Sequence, residues 1–212
     1  MCGRGGCAAS SLILRWLVVA GHGYENRSTM RVRSRTSIRP LDLQFATADP
    51  DDAAEIAALR NASAEQLTRD FGCGHWSGLV TEKSVMHALR TSRVRVARHG
   101  AEIVGTLRLA TRKPWAIDTT YFTQVDRPLY LTDMAVVPSL QRKGIGRRLL
   151  EDAALVTRSW PANAIRLDSY DADAGAGGFY AKCGLREVGR VTYKGNPLIY
   201  FELVLGGTMG DR

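Results

Sequence analysis

The chain has 212 residues, 45% hydrophobic and 24% charged, enough for one globular domain with a sizeable core and too apolar for a disordered protein. Its formal net charge of +8 would suit a nucleic-acid binder, but residues 1–40 hold seven arginines against Glu25 alone, which leaves a net +2 for everything after them. The basicity belongs to the leading segment, and nucleic acid is not an expected partner.

Residues 1–40 read as a basic, disordered, dispensable extension. Leu12 to Ala20 is apolar enough for a signal-peptide core, but Arg15 interrupts it, no A-x-A cleavage site follows, and it is too short to span a bilayer. Residues 22–40 are polar and Arg-rich without periodicity, and Met30 offers an alternative start. No membrane association is expected. Cys2, Cys7, Cys73 and Cys183 form neither a disulfide framework nor a paired CxxC site, and Cys73-Gly74-His75 offers too few ligands for zinc. A reducing cytoplasm and no metal are the expectations.

Regular structure begins at Leu41, where Leu41, Leu43 and Phe45 alternate with polar residues as a strand. Asp49-Pro50 supplies an N-cap and a first-turn proline for a helix over 51–59. A loop over 71–78 leads to a second helix opened by Thr81, with Val85, Met86 and Leu89 inward. Strands over 94–98 and 103–111 form a hairpin across His99-Gly100, and a long connection leads to a strand over 129–137. Ile145, Leu149, Ala153, Val156 and Trp160 recur at helical spacing and stop at Pro161. A strand over 165–170, a short helix through Phe179 to Lys182 ending at Gly184, and a hairpin closing over Gly195-Asn196 complete the domain at 205. Residues 206–212 read as a flexible tail. The order β-α-α-β-β-β-α-β-α-β-β predicts an α/β (α+β) sandwich of one mixed sheet flanked by helices.

The stretch Gln141-Arg142-Lys143-Gly144-Ile145-Gly146-Arg147 carries the chemistry. Gly144 and Gly146 put flexible backbone where the helix begins, so that unpaired N–H groups converge on one point, and such a point binds an anion. Arg142, Lys143, Arg147 and Arg148 would add side-chain charge, which suits a pyrophosphate better than a single carboxylate. There is no GxxxxGK[ST], and Gly144-x-Gly146 lacks the third glycine of the dinucleotide fingerprint.

Asp133-x-Ala135-Val136-x-Pro138, then Gln141 to Leu150, then Phe179-Tyr180-x-Lys182-Cys183-Gly184-Leu185 before a final hairpin, resembles the Gcn5-related N-acetyltransferase (GNAT) superfamily over about residues 41–205. The resemblance implies a mostly antiparallel sheet of about seven strands and acetyl-CoA as acyl donor. It implies that Met134, Ala135 and Val136 lend backbone groups to the pantetheine arm and that Gln141 to Arg147 cradle the pyrophosphate. It also places Tyr180 beside the sulfur, where it could protonate the departing thiolate, and Asp133 where family members often carry an acidic residue that acts through water or by binding the amine, the other reading being a strand-end carboxylate paired with a nearby arginine. Asp168 and Tyr170 share a face of the following strand, so one of them could supplement or replace Asp133.

On the acceptor side the resemblance points to the segments 71–78 and 113–122. His75, Trp76, Trp115, Tyr121 and Phe122 could form an aromatic wall, with Asp118 and Asp168 available to hold a cation. The expected activity is acetyl transfer from acetyl-CoA to a primary amine of a small molecule or peptide. The alternative is a catalytically inactive acyl-CoA-binding or regulatory module. A homodimer is compatible with the sequence.

Overall fold

The computed structural model describes residues 41–205, so the expectations for 1–40 and 206–212 lie outside the described residues. The chain runs β1 (Gln44–Thr47), α1 (Ala53–Phe71), α2 (Glu82–Thr91), β2 (Arg93–His99), β3 (Glu102–Ala110), β4 (Pro128–Val136), α3 (Ile145–Ser159), β5 (Ala164–Tyr170), α4 (Gly177–Lys182), β6 (Arg186–Tyr193) and β7 (Asn196–Val204). The strands form one seven-stranded sheet in the order β1-β2-β3-β4-β5-β7-β6. Every pairing is antiparallel except β4 with β5, as the mixed, mostly antiparallel sheet requires.

The helices divide between the two faces. Ile56 and Leu59 of α1 and Val85 and Ala88 of α2 pack on Val94, Val96 and Ile103. On the other face Ile145, Leu149 and Ala153 of α3 meet Leu107, Leu109, Leu131 and Ile165, joined by Tyr180 of α4. Full burial of one large aliphatic side chain is worth about 1.5–3 kcal/mol, so these two layers fix the sheet between the helices.

Several boundaries differ from the sequence reading. The first strand starts at Gln44 rather than Leu41. A 3-10 turn capped by Asp49 precedes α1, which continues to Phe71 instead of stopping at Leu59. Its second half presents Arg60, Ser63 and Leu67 at helical spacing to a cavity, so no apolar stripe marks it. The last hairpin turns at Lys194-Gly195, both at positive φ, one residue before the expected pair.

Two features of the sheet position the site. The β4–β5 pairing covers only Pro128, Leu129 and Tyr130 against Ala164, Ile165 and Arg166, and the strands then part. In β4 the register against β3 slips between Thr106 and Arg108, so that Asp133 and Met134 together oppose Leu107. Asp133 adopts a left-handed φ of 58° at this bulge.

Candidate active site

Two cavities meet where β4 and β5 separate. The larger, about 500 Å³, is lined by Met134, Ala135 and Val136 of β4, by Gln141, Arg142, Gly144, Ile145, Gly146 and Arg147, and by α4 with the turn before it. Thus every residue expected to hold the cofactor lines one cavity except Lys143, which lies in the same loop but not on that wall. The smaller, about 380 Å³, is lined by α1 through Arg60, Ser63, Ala64 and Leu67, by His75 and Trp76, by β4 from Leu131 to Ala135, and by Asp168 and Tyr180. Ser63, Leu67, Met134, Ala135 and Tyr180 belong to both walls.

The larger cavity fits an elongated anionic ligand. Pro138 ends β4 in a 3-10 turn over Pro138–Leu140, and Gly144 at φ 86° turns the chain into α3. The N–H groups of Ile145, Gly146 and Arg147 then have no carbonyl one helical turn behind them, a pattern suited to an anion, beside Arg142 on the same cavity wall. Gly146 itself has no positive φ; a Cβ there would lie 3.0 Å from Phe179 Cζ and 3.3 Å from Met134 Cε. Its hydrogen preserves a close approach between α3, α4 and β4 and leaves room on the cavity wall.

The basic side chains divide. Arg147 Nη2 donates to the Lys182 carbonyl at 2.7 Å and ties α3 to the end of α4. Arg148 does not join the anion site: Nη1 donates to the Leu41 carbonyl at 2.7 Å and its guanidinium lies over Phe45. That position is one helical step further round α3, which turns it toward the β1 edge.

Tyr180 is buried at 8% exposure and offers its hydroxyl to Met134 Sδ at 3.9 Å. Burial, followed by the charges of Asp168 and Cys183, raises its pKa well above the ordinary phenol value, so it holds its proton across the physiological range. Asp168 lies half-buried on the second wall without a salt bridge, and burial raises its pKa, opposed by a backbone hydrogen bond and by His75. Asp133 is differently placed. Its Oδ1 accepts from Arg60 Nη2 at 2.6 Å and its Oδ2 from Arg108 Nη1 at 3.3 Å. Both oxygens are engaged by guanidinium donors, an arrangement in which Asp133 pairs with arginines at the strand bulge.

Of the expected acceptor residues, His75, Trp76 and Asp168 come together. His75, Trp76 and Tyr170 stack edge to face with ring centroids 4.9 to 5.4 Å apart. Trp115 does not join them: it is 83% exposed and lines neither cavity. Asp118 lines neither as well; its carboxylate caps a turn by accepting from Thr120, and its N–H donates to the Tyr200 hydroxyl. Phe122 is buried against Tyr200, and Tyr121 packs over Gly189. The 113–122 segment therefore covers the β5–β7–β6 end of the sheet rather than walling the acceptor side.

Arg60, Ser63 and Leu67 are site residues that the sequence reading missed, and Arg108 acts on the site through its bond to Asp133. A signal existed for Arg60, a charged residue four positions after buried Ile56 on one helical stripe. Among the described residues no group of three or more His, Cys, Asp or Glu side chains is placed to hold a metal ion. No described helix is long and apolar enough to cross a membrane.

Comparison with known proteins agrees with this geometry. The family described as "Acetyltransferase (GNAT) domain" matches residues 90–187, which include β4, the loop, α3 and α4. No curated protein sequence gives a match. Among solved structures, an N-acetyltransferase from Staphylococcus aureus Mu50 superposes with a TM-score of 0.60 at 16% identity, over 78% of this chain and 99% of that one. The Salmonella typhimurium protein yncA, solved with its cofactor acetyl-CoA, gives 0.60 at 16% identity, over 79% and 96%. A ribosomal-protein-alanine N-acetyltransferase from Brucella melitensis gives 0.60 at 17% identity, over 76% and 99%.

Proposed function

The chain carries a domain of the GNAT acetyltransferase superfamily, and from that premise we propose that it moves the acetyl group of acetyl-CoA directly to a primary amine held beside Asp168. The observation that carries this reading is the meeting of the two cavities at Tyr180 and Met134. One cavity ends in the anion-binding start of α3, the other in an unpaired carboxylate, and the protonated phenol stands at their junction.

Acetyl-CoA supplies a thioester, which an amine attacks only when its nitrogen is unprotonated. An amine with a pKa near 10 is neutral in about one molecule in a thousand at pH 7, so its proton needs an acceptor. Asp168 suits that task better than Asp133, because no cation occupies its oxygens and its raised pKa makes it a stronger base. The departing sulfur needs the opposite, a proton or hydrogen bond, and the Tyr180 hydroxyl can supply it. The N–H groups at the head of α3 and the edge of β4 between Met134 and Val136 would hold the donor, which positions its acyl end at the junction. Cys73 and Cys183 are free thiols, in keeping with the cytoplasm.

The test is an acetylation screen across amine classes, read by release of free coenzyme A, alongside calorimetric titration with acetyl-CoA. Binding together with amine-dependent release is the expected result. Binding without transfer to any amine would leave an acyl-CoA-binding module instead, and absence of binding would remove the assignment altogether.

A further inference from the structure

We propose that the acceptor is a free amino acid, its carboxylate taken by the guanidinium group of Arg60, with Arg108 adding its charge through Asp133, and its amine presented to Asp168. This rests on the acetyltransferase reading and adds the class of acceptor.

Two guanidinium groups converge on one carboxylate at the α1–β4 wall. The cluster of Arg60, Arg108 and Asp133 therefore keeps a net charge of +1. Its side chains are 23%, 31% and 27% exposed, so water and salt screen that charge only in part. Arg60 lines the acceptor cavity and meets Asp133 through Nη2, which leaves the rest of its fork to accept a second carboxylate. Arg108 does not line this cavity: it borders a small void between α1, α2 and the sheet, and contributes charge through its Nη1 bond to Asp133 rather than a contact with the acceptor.

The opposite wall has the reverse sign. Asp168 projects from β5 beyond the point where that strand pairs with β4, and among the described residues it forms no salt bridge; His75 is the group of positive type that acts on it. A cavity with net positive charge on one side and an unpaired carboxylate on the other matches a molecule carrying a carboxylate and an amine. It disfavours polyamines and aminoglycosides, whose additional cations would meet the arginine wall. The volume of about 380 Å³ accommodates one amino acid without requiring a folded protein surface to enter.

Matched acceptors test this on the full chain: leucine, leucinamide and isopentylamine, with β- and ω-amino acids and their amides beside them. At least one amino acid is expected to exceed its own amide and amine by tenfold or more in kcat/KM, mainly through KM. Arg60→Met should bring that ratio close to one, and Arg60→Lys should recover part of it. A measurement on the wild type guards against a variant that folds poorly: isovalerate, a carboxylate without an amine, should compete with the acceptor and not with acetyl-CoA. Amides and amines that serve as well as the amino acids, or an Arg60→Met protein that keeps the preference, would overturn the proposal while leaving the acetyltransferase reading intact. Transfer to no amine of any kind would overturn both.

Discussion

Tyr180 lines both cavities and Asp168 only the smaller, and the proposed reaction makes opposite demands on them. In that reaction Tyr180 would keep its proton until the sulfur departs, and burial, which raises its pKa, favours this. Tyr180→Phe removes one hydroxyl and preserves the ring packing against Phe179 and Phe201. Acetyl-CoA affinity should stay within about twofold of wild type while the single-turnover rate falls roughly ten- to a thousandfold. Rapid-quench acetyl transfer beside calorimetric titration checks this, and an unchanged rate would reassign Tyr180 to packing. Asp168 needs the reverse treatment. Its raised pKa means that the folded chain binds this proton more tightly than the unfolded chain. The resulting stability is complete below the ordinary carboxylate range and is lost as pH rises through the raised pKa. Asp168→Asn should therefore raise the melting temperature at pH 7 and leave it nearly unchanged at pH 3. In the same variant turnover should fall by about a hundred- to ten-thousandfold, and the rising acid limb of the rate profile should flatten.

At the scale of elements, the seam between α3, α4 and β4 decides how the donor is held. Phe179 and Met134 close on Gly146 from two sides, and a Cβ there would already be at the limit of contact. Gly146→Val adds a branched side chain that must push Phe179 aside and tilt the start of α3, which misaims its free N–H groups. Acetyl-CoA should bind at least tenfold more weakly, about 1.4 kcal/mol, with the domain still folded; titration with acetyl-CoA measures it. Gly144 differs, since its φ of 86° would cost a substituted residue about 1–2 kcal/mol even in open space.

These elements also show what a sequence can and cannot disclose. α3 was legible because Ile145, Leu149 and Ala153 face one core at a period of 3.6, and the strands because their apolar residues meet a helix layer. The anion loop was legible because its chemistry is local, with all its donors within a few residues. The far half of α1 was not, since residues lining a polar cavity lose the apolar stripe. Nor were the partners of Asp133, since Arg60 and Arg108 stand 73 and 25 positions away. Trp115 and Asp118 were misplaced for the same reason. Nothing within 113–122 reveals that Tyr200, far along the chain, pins that segment through Ala116 and Asp118.

For the whole molecule, the buried core among the described residues runs from Leu43 to Leu205. A chain starting at residue 38 should fold and bind acetyl-CoA with unchanged affinity. At a hundredfold excess over Kd, the ligand should stabilise it by about 2.7 kcal/mol, or about 5–10 °C in melting temperature for a domain of this size. Differential scanning fluorimetry of the shortened and full chains decides the point, and an insoluble or unliganded shortened chain would show that the leading segment belongs to the fold.

The parting of β4 from β5 beyond Tyr130 and Arg166 bears on more than acetyl transfer. From Leu131 and Leu167 onward, each strand shows the gap a row of backbone donors and acceptors that no neighbouring strand satisfies, in the middle of a sheet instead of at its margin. Such rows are templates on which the strand of another chain can grow. A molecule lodged in the gap would cover that template, so a bound ligand there would shield the strands as well as take part in chemistry.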